Sequence, residues 1–456
     1  MTVLAATAPK DRARPAKRSR GRGRVKTLAT LAALALVAPL NAAVVVPAWL
    51  VSLPFRTKAR ADAKTVLVSG GKMTKAGSIA RAFHQAGHRV VLAETAKYRL
   101  TGHRFSRAVS AFATLPEPTD AGYAAALREV VEAHGVDLYV PVCSPVASYH
   151  DSVAAEALPC PTVHLDPDTL ALVDDKHRFA NAAREMGLDA PKSIRVTSAE
   201  QVMDYDFAAE TRPFILKSIA YDAIRRLDLT FLPRLTRAET RAFVEALPIS
   251  EDNPWVMQEF IEGAEFCTHG TVVDGRLTVH ICCESSPFQI NYDHIDRPDI
   301  RAWVERFVAR PGFTGQVSLD FMEAADDGRV YAIECNPRTH SAITLFNGMN
   351  GLPEAYLGEV ADALEPTGAR PTYWLYHEVM RLARSVLPNS PHGTLSERLR
   401  ILLGGRDAVF SWRDPLPFFM LHHVHIPSLL WRDLREGRGW AKIDFNIGKL
   451  VQAGGD

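Results

Sequence analysis

The chain has 456 residues, 47% of them hydrophobic and 23% charged, with a formal net charge of +1. This composition is ordinary for a globular protein, and the length allows about two to four packed domains. Residues 1–26 carry nine Lys/Arg against one Asp (net +8), leaving −7 for the rest, and so mildly acidic a body gives no support for nucleic-acid binding. The six cysteines show no CxxC pair and no metal-ligand spacing. They read as reduced, mostly buried thiols of a cytosolic domain, with the adjacent Cys282 and Cys283 alternating in burial.

Residues 1–26, basic and rich in Ala and Pro, predict a disordered tail. From Thr27 to Pro54 no charged residue occurs, a run long enough to span a bilayer of about 30 Å. It exceeds the apolar core of a secretory signal, usually about 7–15 residues. Pro39, Leu40 and Asn41 interrupt its middle, and Arg56, Lys58, Arg60 and Lys64 make the far flank basic as well. Basic residues on both sides conflict with a single span. Residues 27–55 are therefore expected to associate with a membrane as an embedded hairpin or an in-plane anchor, with the catalytic part cytoplasmic.

Residues 64–172 open with a strand, the turn Ser69-Gly70-Gly71-Lys72, a helix ended by Gly87 and a second strand, which together make a βαβ unit. SGGKMTK matches neither GxGxxG nor GxxxxGK[ST], so dinucleotide and P-loop readings are both weak. A third strand near 137–142 ends in CSPVASYHD, at the edge where open α/β sheets bind ligands. Ser144 and Ser148 there either touch a substrate or cap the next helix. Asp174-Asp175-Lys176 begins a second unit, 173–262. Its apolar strand 213–217 ends in Lys217, AYDAIRRLDL follows, a helix is expected over 237–247, and WVMQEFIEGAE (255–265) makes another strand and turn. Singly, Lys217 reads as a snorkelling lysine and the Arg225-Arg226 pair as a solvated face.

The most informative stretch is GQVSLDFMEAADDGRVYAIECNPRTHS, residues 315–341. It predicts a β-hairpin with arms 316–322 and 329–336 and a turn at Asp326-Asp327-Gly328. Alternation puts Val317, Leu319 and Phe321 on the core face of one arm and Tyr331, Ile333 and Cys335 on that of the other. A hairpin centred on Asp327 sets Asp320 across from Glu334, with Cβ atoms about 5 Å apart. Two facing carboxylates repel unless a cation lies between them, and hard oxygen ligands suit Mg²⁺. An exposed acidic pair is the plain alternative. Asn336 shares their face, and Arg338 and His340 follow at once.

In this order the βαβ unit, DDK, ILK, QEFIEGAE and LDF…ECNPRTHS resemble the ATP-grasp superfamily, the fold of D-alanine–D-alanine ligase and carbamoyl phosphate synthetase, over about residues 64–365. The resemblance implies an α/β fold with an α+β lid. Its parts would be a Rossmann-like pre-ATP-grasp domain (64–172), a lid domain (173–262) and a large domain with the metal site (263–365). It also implies ATP and Mg²⁺, with Mn²⁺ as an alternative. Lys176 and Lys217 would reach the ATP phosphates, Gln258 the adenine amino group, the backbone of Glu259 and Ile261 the adenine edge, and Glu265 the ribose hydroxyls. Asp320, Glu334 and Asn336 match the magnesium ligands, and Arg338 the arginine that steadies developing charge. SIAYDAIRRLD replaces the glycine-rich lid loop of many relatives, which makes Arg225 and Arg226 the candidates for phosphate cover. Ser318 stands where many relatives place an arginine.

LVSGGKMTKA, ETAKYRLTGHRFS, ILKSIAYDAIRRLDL, MQEFIEGAEFCTH and AIECNPRTHSAIT, with the basic and apolar N-terminus and the ending DPLPFFMLHHVHIP, resemble in particular the ATP-grasp ligases of mycosporine biosynthesis. That likeness implies condensation of glycine with 4-deoxygadusol: ATP phosphorylates an enol oxygen of the ring, the amine adds, and phosphate leaves. His340 and Ser341 then either contact the ring or the glycine carboxylate, or cap the following helix. His340, His269 and His294 are the candidate general bases. The aromatic-rich extension 366–456 is expected to dock on the catalytic body, the alternative being a place at the bilayer surface, and is assigned no chemistry. The alternatives are a carboxylate–amine ligase working through an acyl phosphate and a non-catalytic, membrane-tethered nucleotide sensor. Oligomeric state is not legible.

Overall fold

The computed structural model of the chain describes residues 17–55, 57–219, 225, 228–285, 291–386 and 393–452, with side chains from residue 23 onward. Its first element, α1 (Lys17–Ser52), is one helix of 36 residues that continues through Pro39 and Pro47. Two expectations are corrected here. Residues 17–26 are helical rather than part of a disordered tail, and the apolar run is not a hairpin. Its many Ala and Leu residues favour helix, and a proline removes one local hydrogen bond without ending a helix that packs on either side of it.

A parallel sheet follows in the order β3-β2-β1-β4, built from β1 (Thr65–Val68), β2 (Arg89–Thr95), β3 (Ala111–Leu115) and β4 (Leu138–Val140). Helix α2 (Thr74–Gln85) makes the crossover from β1 to β2. Gly70, at φ +66°, is required between them, because a Cβ there would overlap the carbonyl oxygen of Val142. The glycine turn thus serves the close approach of two strand ends. Ser144 caps the helix Pro145–Ala155 by accepting from the Ala147 N–H (3.3 Å). A second, antiparallel sheet runs β5-β7-β6, from β5 (Ser193–Val196), β6 (Phe214–Ser218) and β7 (Trp255–Glu259).

The third sheet, β12-β11-β8-β9, carries the hairpin. Its strands are β8 (Gly263–Val273), β9 (Arg276–Glu284), β11 (Gly315–Ala324) and β12 (Val330–Asn336), while the intervening β10 (Asn291–Tyr292) pairs elsewhere. Asp320 pairs with Glu334, and the next pair is Phe321 with Ala332, so Ile333 is the extra residue of a bulge. Simple alternation is corrected accordingly. Ala332 and Cys335 face the main core, Ile333 is half-buried, and Tyr331 joins a small cluster with Ile261 and Ala324. Both faces of this sheet are core. Cys282 belongs to the cluster of Trp303, Phe307 and Phe321, and Cys283 to the opposite cluster with Phe83, Ile343 and Phe418, so neighbours facing opposite ways are both buried.

The C-terminal extension docks on the body, as expected. β13 (Thr372–Tyr373) and β14 (Arg406–Asp407) complete a sheet with β10, and β15 (Lys442–Asp444) pairs with β16 (Lys449–Val451). Phe418, Leu421, Leu430 and Phe445 share one core with Val68, Ile79 and Phe83. Beneath them Arg81 and Asp414 form a buried ion pair (2.8 Å), and the same carboxylate accepts from Ser106 Oγ (2.6 Å) and the Arg107 N–H (3.0 Å). His103, His422 and His425 are buried in this seam, and burial pulls them down to about 3, 3 and 4 respectively.

Candidate active site

A row of side chains crosses the third sheet. The register pairs Glu334 on β12 with Asp320 on β11, Asp320 with Cys267 on β8, and Cys267 with Cys283 on β9. Directly opposed residues share a sheet face. Asn336 lies two residues beyond Glu334, and its amide donates to Glu334 Oε1 (3.1 Å) and Asp320 Oδ2 (3.4 Å). Arg338 closes the end of the row, with Nη2 donating to Asn336 Oδ1 (2.5 Å). Lys176, first residue of the helix Lys176–Glu185, ion-pairs with Glu334 Oε2 at 3.1 Å. Lys217, on β6, feels the charges of Glu334, Asp320 and Glu265.

The two carboxylates are held in different states. Burial, and then the charge of Glu334, pushes Asp320 well above the usual carboxylate range. Burial acts on Glu334 in the same direction, but Lys176 and Lys217 outweigh it and hold that group down at about 2. A divalent cation between the carboxylates would offset the repulsion that raises Asp320, and two carboxylates with an amide oxygen are the hard donors such a cation takes. The described residues contain no group of three His, Cys, Asp or Glu side chains placed to hold a metal, and Asn336 turns its amide nitrogen to the carboxylates and its oxygen to Arg338, so that oxygen would join the donor set only with the amide reversed. The facing carboxylates are the part of the site that fits a hard divalent ion.

No family model matches the chain. Over 255 residues it is 26% identical to the carbamoyl phosphate synthase large chain of Vibrio cholerae, a match covering 50% of this chain and 22% of that one. It is 22% identical over 233 residues to the C-terminal section of the same large chain from Methanopyrus kandleri, covering 45% and 41%. The chain thus spans less than half the length of either relative.

The fold is mixed α/β.

Among solved structures, N5-carboxyaminoimidazole synthetase from Staphylococcus aureus complexed with ADP aligns at a TM-score of 0.47 and 15% identity, over 64% of this chain and 74% of that one. Phosphoribosylamine–glycine ligase from Thermotoga maritima aligns at 0.48 and 14%, over 67% and 78%.

The remaining residues expected from the ATP-grasp resemblance fall into two groups. Gln258 is buried on β7, its amide donating to Ile333 O (3.3 Å) and Ser193 Oγ (3.4 Å). Ile261 is buried against Ala324 and Tyr331, and Glu265 accepts from Ser285 Oγ (2.9 Å). Glu259 is committed to the framework: its N–H donates to Lys192 O (2.8 Å), and its carboxylate accepts from the Lys192 N–H (3.0 Å) and pairs with Arg212 (3.3 Å). The Glu259 N–H is thus committed within the protein, which leaves its carbonyl and the backbone of Ile261 as the groups for an adenine edge. Arg225 sits in a turn closed by the Asp228 N–H on its carbonyl (2.9 Å), whereas Arg226 lies outside the described residues.

The loop after β12, which carries Arg338, is clamped from three elements. Ser148 Oγ donates to Pro337 O (2.8 Å), Lys75 Nζ to Thr339 O (2.5 Å), and Asn446 Nδ2 to Ser341 Oγ (2.7 Å). His340 caps the helix Ser341–Phe346, accepting from the Ala342 N–H at Nδ1 (3.3 Å). His269 and His294 likewise accept backbone N–H groups at Nδ1, from His340 (3.3 Å) and Cys282 (3.4 Å). A neutral imidazole that accepts at Nδ1 carries its proton on Nε2, so none of the three histidines weighed as bases offers a lone pair there. Sequence reading missed Lys75, buried in the first turn of α2. Burial, and then Arg338, pulls it down to about 7. Its signal was the second lysine of SGGKMTK, at an edge that faces the loop after β12. Asn446 had no signal, since only the docking of the tail brings it there.

Proposed function

We propose that the chain is an ATP- and Mg²⁺-dependent ligase that phosphorylates a small molecule and joins an amine to it, releasing ADP and phosphate. The observation that carries this reading is the Asp320–Glu334 pair, flanked by Asn336, Lys176 and Lys217 and closed by Arg338. A divalent ion on such a pair neutralises phosphate oxygens. Lys176 and Lys217 bind the phosphates, and Arg338 meets charge developing on the acceptor oxygen. Gln258, Ile261 and Glu265 serve the nucleoside, and Arg225 with Arg226 cover the phosphates. The β1–β4 unit is the Rossmann-like pre-ATP-grasp domain. Residues 27–55 associate with a membrane and the catalytic part faces the cytoplasm.

The substrates we infer are 4-deoxygadusol and glycine, which makes the chain a mycosporine-glycine synthase; the motifs shared with the ligases of mycosporine biosynthesis support this. The ring's enol oxygen attacks the γ-phosphorus and ADP leaves. The glycine amine then adds to the carbon bearing that oxygen, and phosphate departs as the C–O bond breaks. Only the free amine attacks, so the ammonium loses its proton before it adds. The hydrogen bond of Lys75 Nζ to Thr339 O, next in the chain to Arg338, favours a second reading. Lys75 and Arg338 bring two cations to the acceptor end, and they suit a carboxylate activated as an acyl phosphate.

The full chain is assayed with ATP, Mg²⁺ and glycine, with either 4-deoxygadusol or a panel of carboxylic acids, following products by chromatography with mass detection. A glycine adduct of the cyclohexenone supports the first reading. ADP formed only with a carboxylic acid moves the assignment to the second. No ADP under either condition removes both.

A further inference from the structure

Helix α1 lies flat along the body. At one end Lys26 Nζ donates to Trp440 O (3.1 Å) and Ala441 O (2.7 Å), and Trp440 Nε1 donates to Thr27 Oγ1 (2.9 Å). In the middle Asn41 Nδ2 donates to the Tyr376 hydroxyl (2.7 Å), with Leu34 and Val45 buried in the core shared with the tail. At the other end Arg107 Nη1 donates to Ser52 Oγ (2.9 Å). From Lys26 to Ser52 the helix rises about 39 Å, longer than the hydrocarbon thickness of about 30 Å. A helix fastened to a folded body along that whole length cannot cross a bilayer without carrying polar parts of the body into it.

Its outward face has a different character. Every exposed residue from 28 to 51 is Ala, Val, Leu or Pro, and Leu36 (82% exposed), Leu40 (68%) and Val51 (69%) stand well clear of the body. An outward face without one polar residue over some six turns is foreign to a water-facing helix. Exposed cations flank it, with Arg24 and Lys26 before it and Lys58 and Arg60 after it. Two exposed indoles lie on segments next to α1. Trp431 lies on the helix Ile426–Glu436 that packs against α1, and Trp412 lines a cavity together with Asn41, Val44 and Val45. Apolar face, flanking cations and rim tryptophans are the composition of a helix lying at a membrane interface.

We propose that α1 is an in-plane anchor: its outward face enters one leaflet of a bilayer bearing anionic headgroups, and both of its ends stay on the same side. This rests on the membrane reading of residues 27–55 and assigns its topology. The test uses the full chain with sealed vesicles of phosphatidylcholine, alone or with about a third phosphatidylserine. The chain is expected to float with the anionic vesicles, and Leu36→Glu/Leu40→Glu to lower flotation by at least about tenfold, since losing two buried leucines alone is worth that. The same variant is expected to keep its melting temperature and ADP release. In a Cys160→Ser background, Val25→Cys and Leu53→Cys are expected to react with an impermeant thiol reagent from the same side. Labelling from opposite sides would overturn the in-plane topology while leaving membrane association intact. No flotation would overturn the membrane reading itself, and dimers lost in the double variant would assign the face to a second copy instead.

Discussion

The β11–β12 end of the third sheet and the seam beneath the C-terminal tail both bury ionisable groups, but they leave them in opposite conditions. At the sheet end Asp320 and Glu334 share one face, and Glu334 is held low by two lysines while Asp320 is forced up by burial and by its neighbour. In the seam Asp414 has a full set of partners in Arg81, Ser106 and the Arg107 N–H. Burial works to raise Asp414, and Arg81 and the hydrogen bonds still bring it below the usual range. The first region keeps a repulsion that a bound cation would relieve; the second has resolved its charges into stability. Groups held in unresolved states belong to binding and chemistry, and satisfied ones to the fold.

The contrast is broken most sharply by removing a charge from each region. Glu334→Ala or Lys217→Ala is expected to lower turnover by about a thousandfold or more, roughly 4 kcal/mol of transition-state stabilisation, with little change in melting temperature. Arg81→Ala is expected to do the reverse. Leaving Asp414 buried without its cation costs about 3–5 kcal/mol in chemical denaturation, while kcat per folded molecule is unchanged. A turnover loss in Arg81→Ala at full stability would erase the distinction.

Asp320→Asn sharpens it. Removing one of two facing carboxylates should stabilise the metal-free protein by about 1 kcal/mol in thermal melts while abolishing the Mg²⁺ dependence of ADP release. The smallest effect concerns pH. His103, His422 and His425 sit at about 3, 3 and 4 in the folded chain, below the ordinary value of about 6.5. Between those values the unfolded chain binds more protons, so their contribution to stability is complete above about pH 6.5 and is lost as pH falls toward 4. Denaturant titrations from pH 8 to 4 should show that slope, and His422→Gln should flatten it.

The pairing at the sheet end was legible because it is local. Asp320, Glu334 and Asn336 fall on one hairpin, and period-2 alternation with a recognisable turn is enough to face them. The bulge at Ile333 was not legible, since alternation has no term for an inserted residue, and it moved Ala332 into the core in place of Ile333. Lys75 and Asn446 escaped because they reach the loop after β12 from more than 250 residues before it and more than 100 after it, through the core that the tail shares with α2. The continuity of α1 was hidden by its prolines, and its two faces are equally apolar in sequence. Only packing separates the side against Tyr376 and Trp440 from the side that bears Leu36 and Leu40.

The measurement that tests the account most directly is the ratio of ADP to glycine adduct formed by the full chain with Mg²⁺, run beside Glu334→Ala. The account predicts one ADP per adduct in the parent chain and neither product in the variant. Adduct formed without ADP, or undiminished turnover in Glu334→Ala, would contradict it.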